Sequence, residues 1–85
     1  MVDAIVLLCV IPGEEHQVKT ALLQLEEVKS CRITFGEYDL CAEVQTPKIK
    51  ALGSLMTKQI RQIQGVTKSI TLIISESLSN NNNTL

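Results

Sequence analysis

Tyr38 is the only tyrosine of this 85-residue chain, and it stands between two carboxylates in Phe35-Gly36-Glu37-Tyr38-Asp39-Leu40. Gly36 permits a positive φ at the start of a turn. Tyr38 adds an apolar ring with a polar tip, and Asp39 adds an acceptor for an ammonium group. A simple turn needs Gly or Asp but not a tyrosine. Gly36, Glu37, Tyr38 and Asp39 therefore form a first group whose residue types ask for a role beyond the turn itself. The plainer alternative is that Asp39 caps the turn by bonding its own backbone.

A second candidate group is Cys9, His16 and Cys41. Two thiols and an imidazole suit a Cu or Zn ion. No C-x-x-C or other ligand spacing joins them, and free cysteine is often a small core hydrophobe. Metal binding is thus an alternative to a chain with no cofactor. Catalysis would need a nucleophile or base with a partner. His16 is the single histidine, and it lies beside Glu14 and Glu15. Carboxylates in the first turn of a helix are explained by the helix dipole, so a non-catalytic protein is expected.

These residues must be positioned by regular elements, and the hydrophobic pattern supplies them. Val2 to Ile11 is a β-branched and Leu-rich run closed by Pro12-Gly13, which reads as a strand with two apolar faces. In Glu14 to Glu27, Val18, Ala21, Leu22 and Leu25 mark one helical face. Val28 to Phe35 and Leu40 to Gln45 read as strands joined by the Gly36–Asp39 turn. Thr46 is a candidate N-cap with Pro47 at the first helical position. Ile49, Leu52, Met56, Ile60 and Ile63 form the stripe of the second helix, and Gly65 closes it. Val66 to Ser75 is the last strand.

The order β-α-β-β-α-β is the split βαβ pattern of α+β, ferredoxin-like folds. It predicts a four-stranded antiparallel sheet in the order 4-1-3-2 with both helices on one face. Strand phase refines this. Phe35 opposite Leu40 places Ile33 against Ala42 and Cys31 against Val44 on the helix face. Arg32 then opposes Glu43 as a charge pair. In the last strand Ile70, Leu72 and Ile74 are assigned to the helix face, and Ser69, Thr71, Ile73 and Ser75 to the open one. The first strand leaves apolar side chains on the open face whichever way it turns, so a dimer packed sheet against sheet is expected.

Composition narrows the class. Hydrophobic residues make up 45% and aromatics only 2%, so the core must be aliphatic. The net charge of -1 carries no basic run. That argues against direct nucleic-acid binding and against a polybasic membrane surface. The opening MVDAIVLLCVIPG is too short to span a bilayer. Three cysteines with no signal peptide read as reduced thiols in a cytoplasmic protein. Residues 1–76 are expected to form one domain, and the Ser/Asn-rich residues 77–85 a disordered tail.

The two-faced first strand ending in Pro12-Gly13, the turn Gly36-Glu37-Tyr38-Asp39 followed by Leu40, and Gly65-Val66 leading into Ser69-Ile70-Thr71-Leu72 carry a family likeness. Together they resemble the effector-binding (RAM) domain of the leucine-responsive regulator/asparagine regulator (Lrp/AsnC) family, over nearly all of Val2 to Ser75. Transcription factors of that family carry a helix-turn-helix before this domain. No such pattern fits here, so the chain resembles the stand-alone members. The resemblance implies a sensing and oligomerisation module for a small effector, often an amino acid. It implies dimers through the sheets, rings of dimers such as octamers, and co-assembly with full-length Lrp/AsnC regulators. Effectors would sit in clefts between dimers. Asp39 and turn backbone groups would hold the amino group, Tyr38 would pack a neighbouring dimer or wall the cleft, and Thr71 would be a further cleft residue.

Overall fold

In the computed structural model, which describes residues 1–78, strand β1 (Val2–Val10) alternates strictly along its length. Val2, Ala4, Val6, Leu8 and Val10 are buried, while Asp3, Ile5, Leu7 and Cys9 are half-buried on the other side. The remaining elements are α1 (Glu15–Leu23), β2 (Val28–Ile33), β3 (Leu40–Thr46), α2 (Ile49–Lys58) and β4 (Val66–Ile73), with 3-10 turns at Ile60–Gln62 and Ser75–Leu78. All sheet neighbours are antiparallel, in the order β2-β3-β1-β4. Counted from the other edge this is the expected 4-1-3-2, a ferredoxin-like α+β fold.

The helices bury Val18 and Leu22 of α1 and Leu52, Leu55 and Met56 of α2 against the sheet. Leu8, Leu22, Leu40 and Ile60 are fully buried, and the core is aliphatic as the composition requires. The α2 stripe differs from the expected one. Ile49 is exposed and Leu55 takes its place in the core. The helix also ends at Lys58, and Ile60 is delivered by the 3-10 turn. Thr46 does not cap α2. It closes β3 opposite Val2, and its hydroxyl donates to the Lys48 carbonyl at 2.9 Å. The extended backbone of Lys48 delays the helix to Ile49.

Two strand assignments are corrected. On β2, Ile33 rather than Phe35 pairs with Leu40, and Cys31 pairs with Ala42. A slip of two residues keeps each side chain on its expected face because the side-chain period is two. The connection is longer than foreseen. The Thr34 backbone N–H donates to the Asp39 carbonyl and the Thr34 hydroxyl to the Tyr38 carbonyl, so the chain leaves the ladder at residue 34. Arg32 therefore faces Cys41, and the expected Arg32–Glu43 pair gives way to a bond from the Ser30 hydroxyl to the Glu43 carboxylate at 2.9 Å.

On β4 the phase is inverted. Ser69, Thr71 and Ile73 pair with Leu8, Val6 and Ala4, on the helix-covered face. Lys68, Ile70 and Leu72 pair with Cys9, Leu7 and Ile5, on the open face. The strand also stops at Ile73, and Ile74 lines the open face beside Asp3 and Ile5. The cause is a β-bulge. Val10 pairs with Val66 and Cys9 with Lys68, which leaves Thr67 as the extra residue. One extra residue reverses the alternation beyond it. The Thr67 hydroxyl pins the bulge by donating to the Cys9 carbonyl at 3.1 Å.

The open face thus carries Ile5, Leu7, Cys9, Cys41, Ile70 and Leu72, and Leu72 is 49% exposed. Among the described residues no helix is long and apolar enough to cross a membrane. Ser77 and Leu78, at the start of the expected tail, belong to the second 3-10 turn, where the Ser77 hydroxyl accepts from the Asp3 N–H at 3.0 Å. Residues 79–85 lie outside the described residues.

Cys31 is core, as expected. Burial pushes its thiol above the ordinary value of 9.0, against a smaller lowering by Lys19 and with a further rise from Cys41. The unfolded thiol ionises first as pH rises, while the folded one stays protonated. The Cys31 contribution is therefore complete below about pH 9 and falls away as pH climbs towards the raised folded value. Urea melts between pH 8 and pH 11 should show a loss of stability that is shallower in a Cys31→Ala variant. Equal slopes in the two proteins would refute this linkage.

Candidate functional site

The turn between β2 and β3 is tied to the end of β1 by three hydrogen bonds. The Asp39 backbone N–H donates to the Leu8 carbonyl at 2.8 Å, and its carboxylate Oδ2 accepts from the Val10 N–H at 2.8 Å. The Cys9 thiol donates to the Glu37 carbonyl at 3.5 Å. Gly36 has φ +129°, a region that disfavours L side chains. Its backbone, not a close neighbour, demands glycine, because an added Cβ would meet nothing within 4 Å. The Lys68 ammonium lies 5.7 Å from the centre of the Tyr38 ring, within cation–π range.

Asp39 therefore has a structural partner that neither sequence-level reading named. Its carboxylate bonds to the neighbouring strand and not to its own turn. A carboxylate has about four acceptor positions, so the bond to Val10 leaves capacity for an ammonium group. A cavity of about 320 Å3 opens beside it, walled by Glu15 and His16 of α1 and by Ile33, Phe35 and Asp39. Gly36 and Asp39 line this cavity. Glu37 and Tyr38 sit on the same turn. Thr71 stands apart, opposite Val6 on the helix-covered face.

The structure does not bring Cys9, His16 and Cys41 together. Cys9 and Cys41 share the open face, and His16 is exposed on α1 at the rim cavity. Among the described residues no group of three His, Cys, Asp or Glu side chains could hold a metal ion. Sequence reasoning missed Phe35. It was assigned to a strand, yet it lies beyond β2 and is fully exposed, at 105%. The signal was a large apolar residue directly before the turn glycine.

Comparison with known proteins bears on this geometry. The family described as the Lrp/AsnC ligand binding domain matches residues 3–84. The leucine-responsive regulatory protein of Escherichia coli strain K12 is 25% identical over 71 residues, covering 84% of this chain and 43% of that protein. The chain thus spans less than half the length of that curated relative. The crystal structure of FFRP-DM1 superposes with a TM-score of 0.84 at 35% identity, covering 87% of this chain and 99% of that one. A transcriptional regulator of Neisseria meningitidis, solved in complex with L-Met, shares the fold at a TM-score of 0.79 and 15% identity, covering 98% of this chain and 53% of its own. The family match over residues 3–84, on the fold just described, makes this chain a member of the Lrp/AsnC ligand-binding domain family.

Proposed function

We propose that the chain is a non-catalytic sensing module whose effector is an amino acid held at the β2–β3 turn. The observation that carries this reading is the rim cavity of about 320 Å3 that Gly36 and Asp39 line. Asp39 takes the α-ammonium group, and backbone groups of Gly36 to Tyr38 complete the polar end. The L-Met held by the Neisseria meningitidis regulator of the same fold is consistent with such an effector. The apolar open face, with Ile5, Leu7, Ile70 and Leu72, packs against a second copy, and dimers assemble further into rings. The module acts on Lrp/AsnC-type regulators through this assembly. Its effector changes the assembly by binding one state more tightly than another.

The test is thermal unfolding and light-scattering mass in the presence of each of the twenty amino acids. A ligand at about a hundred times its dissociation constant stabilises the folded state by about 2.7 kcal/mol. One or a few amino acids should therefore raise the melting temperature by several degrees or shift the mass. If none of the twenty moves either quantity, the reading is wrong.

A further inference from the structure

We infer that the outer face of α2 is a nucleic-acid contact that grips the phosphate backbone of a duplex without reading its bases. The inference is independent of the effector reading, which uses α1 and the β2–β3 turn.

The net charge of -1 hides an uneven division. Residues 44–75 hold five cations, Lys48, Lys50, Lys58, Arg61 and Lys68, and no Asp or Glu. All nine carboxylate side chains lie outside this stretch, with only three of the eight cations. The cations form no run along the sequence because helical spacing scatters them, and the fold gathers them again. Lys50, Ser54 and Lys58 follow one another at i, i+4 and i+8 along α2, on one helical face. All three are exposed, and so is Arg61 in the 3-10 turn just beyond the helix. Lys68 points elsewhere, over the Tyr38 ring.

This track is shaped for phosphates. Lys50 to Lys58 spans about 12 Å at about 1.5 Å per residue, a length over which a double helix carries about seven phosphate charges. Gly53 and Ser54 lie between the cations and keep the surface low, so a duplex can approach the helix closely. At the far end the Arg61 Nε donates to the Ser69 hydroxyl at 3.3 Å. That bond orients the guanidinium. Its terminal nitrogens and the Ser69 hydrogen are left to donate to one phosphate. Arg61 and Ser69 line a cavity of about 230 Å3 there.

The chemistry of the surface selects the partner. A protein interface is centred on aromatic or apolar anchors, and a helix lying on a membrane buries an apolar face. The face between Lys50 and Arg61 offers Gly53, Ser54 and Thr57 instead. Single strands stack their bases on aromatic rings, and both aromatic side chains of this chain, Phe35 and Tyr38, stand at the β2–β3 turn. What remains is the outside of a double helix, where Lys, Arg and Ser meet phosphate oxygens. The helices cover the sheet on the side away from the open face, so a second copy packed on the open face leaves the track free.

The test is fluorescence anisotropy of a labelled, mixed-sequence DNA duplex as salt is raised. Three phosphate contacts per copy, from Lys50, Lys58 and Arg61, give a log–log slope of about -2.7. Affinity should then fall about 40-fold between about 50 and 200 mM salt, and more steeply where several copies engage one duplex. The double variant Lys50→Gln, Lys58→Gln removes two of the three contacts and should cut the slope to about a third. The double variant Lys19→Gln, Lys29→Gln loses the same charge away from the track and should keep the wild-type slope. Neither pair belongs to the core, so both variants should melt with the wild-type protein. Equal slopes in the two double variants overturn the inference, and so does a duplex left unbound by the wild-type protein at about 50 mM salt. Binding to polyglutamate or to anionic lipid vesicles as tight as binding to the duplex overturns it too, in favour of another anionic partner. The amino-acid response in melting is untouched by any of these results.

Discussion

Gly65→Ala should destabilise the protein by about 2–4 kcal/mol, lowering the melting temperature by more than about 10 °C for a domain of this size. Gly65 has φ +105° and is buried where β4 begins. A side chain there pays for a backbone region that L residues avoid. A Cβ would also meet Oε1 of Glu14 at 2.6 Å and Cγ2 of Val18 at 3.0 Å. The two neighbours differ. The Glu14 carboxylate is the far end of a flexible side chain, and its Oε1 is buried without a hydrogen-bond donor among the described residues, so it can swing out. Val18 is fully buried in α1 and has nowhere to go. The double variant Glu14→Ala, Gly65→Ala separates the parts. It should recover only a fraction of the loss, because the backbone strain and the Val18 contact persist. Full recovery would show that the carboxylate alone made glycine necessary.

The second large effect belongs to Asp39. Asp39→Ala leaves the Val10 N–H, on a residue only 5% exposed, without its 2.8 Å acceptor. An unsatisfied buried donor costs about 1–3 kcal/mol, and the turn loses its tie to β1. Asp39→Asn keeps an amide oxygen for Val10 and should hold most of that stability. The same pair of variants tests the ligand. If the carboxylate holds an ammonium group, the amino-acid-induced rise in melting disappears in the Asn variant as well as in the Ala variant. Full ligand response in a stable Asp39→Asn protein would assign Asp39 a purely structural role. Calorimetry on both variants gives the two answers in one experiment.

Much of the fold was legible in the residues. Strand β1 advertises itself by ten nearly unbroken apolar positions, and the Gly36–Asp39 turn by its residue types. The βαββαβ order, with right-handed crossovers, then leaves essentially one sheet order. The failures have a common physical source. Alternation says that a strand has two faces but not which face is which. Along β4 and just past its end, Ile70, Leu72 and Ile74 interleave with Thr71 and Ile73, so both phases bury apolar groups. The choice was made by the bulge at Thr67, which exists only through pairing with Cys9 and Val10. The β2–β3 register failed for a related reason, because Thr34 takes its bonds from the turn and not from the ladder. At the candidate site, Gly36 and Asp39 were visible as types. The bond from Val10 to Asp39 joins residues 29 positions apart, and no local pattern announces it. The Cys/His grouping failed because the sheet itself separates His16 from the two thiols.

The bulge at Thr67 also bears on how such a chain can change over generations. Deleting that single residue would bring the rest of β4 back into step with β1. Ser69, Thr71 and Ile73 would then exchange sides with Ile70 and Leu72. One short deletion thereby rewrites the chemistry that one strand brings to the open face, without touching the pairing of β1, β2 and β3. On the pairing proposed for this face, a duplicated copy carrying it would present a more polar surface, poorly matched to its parent. Partner choice among sibling chains can diverge at this point in one mutational event, without any substitution in the core.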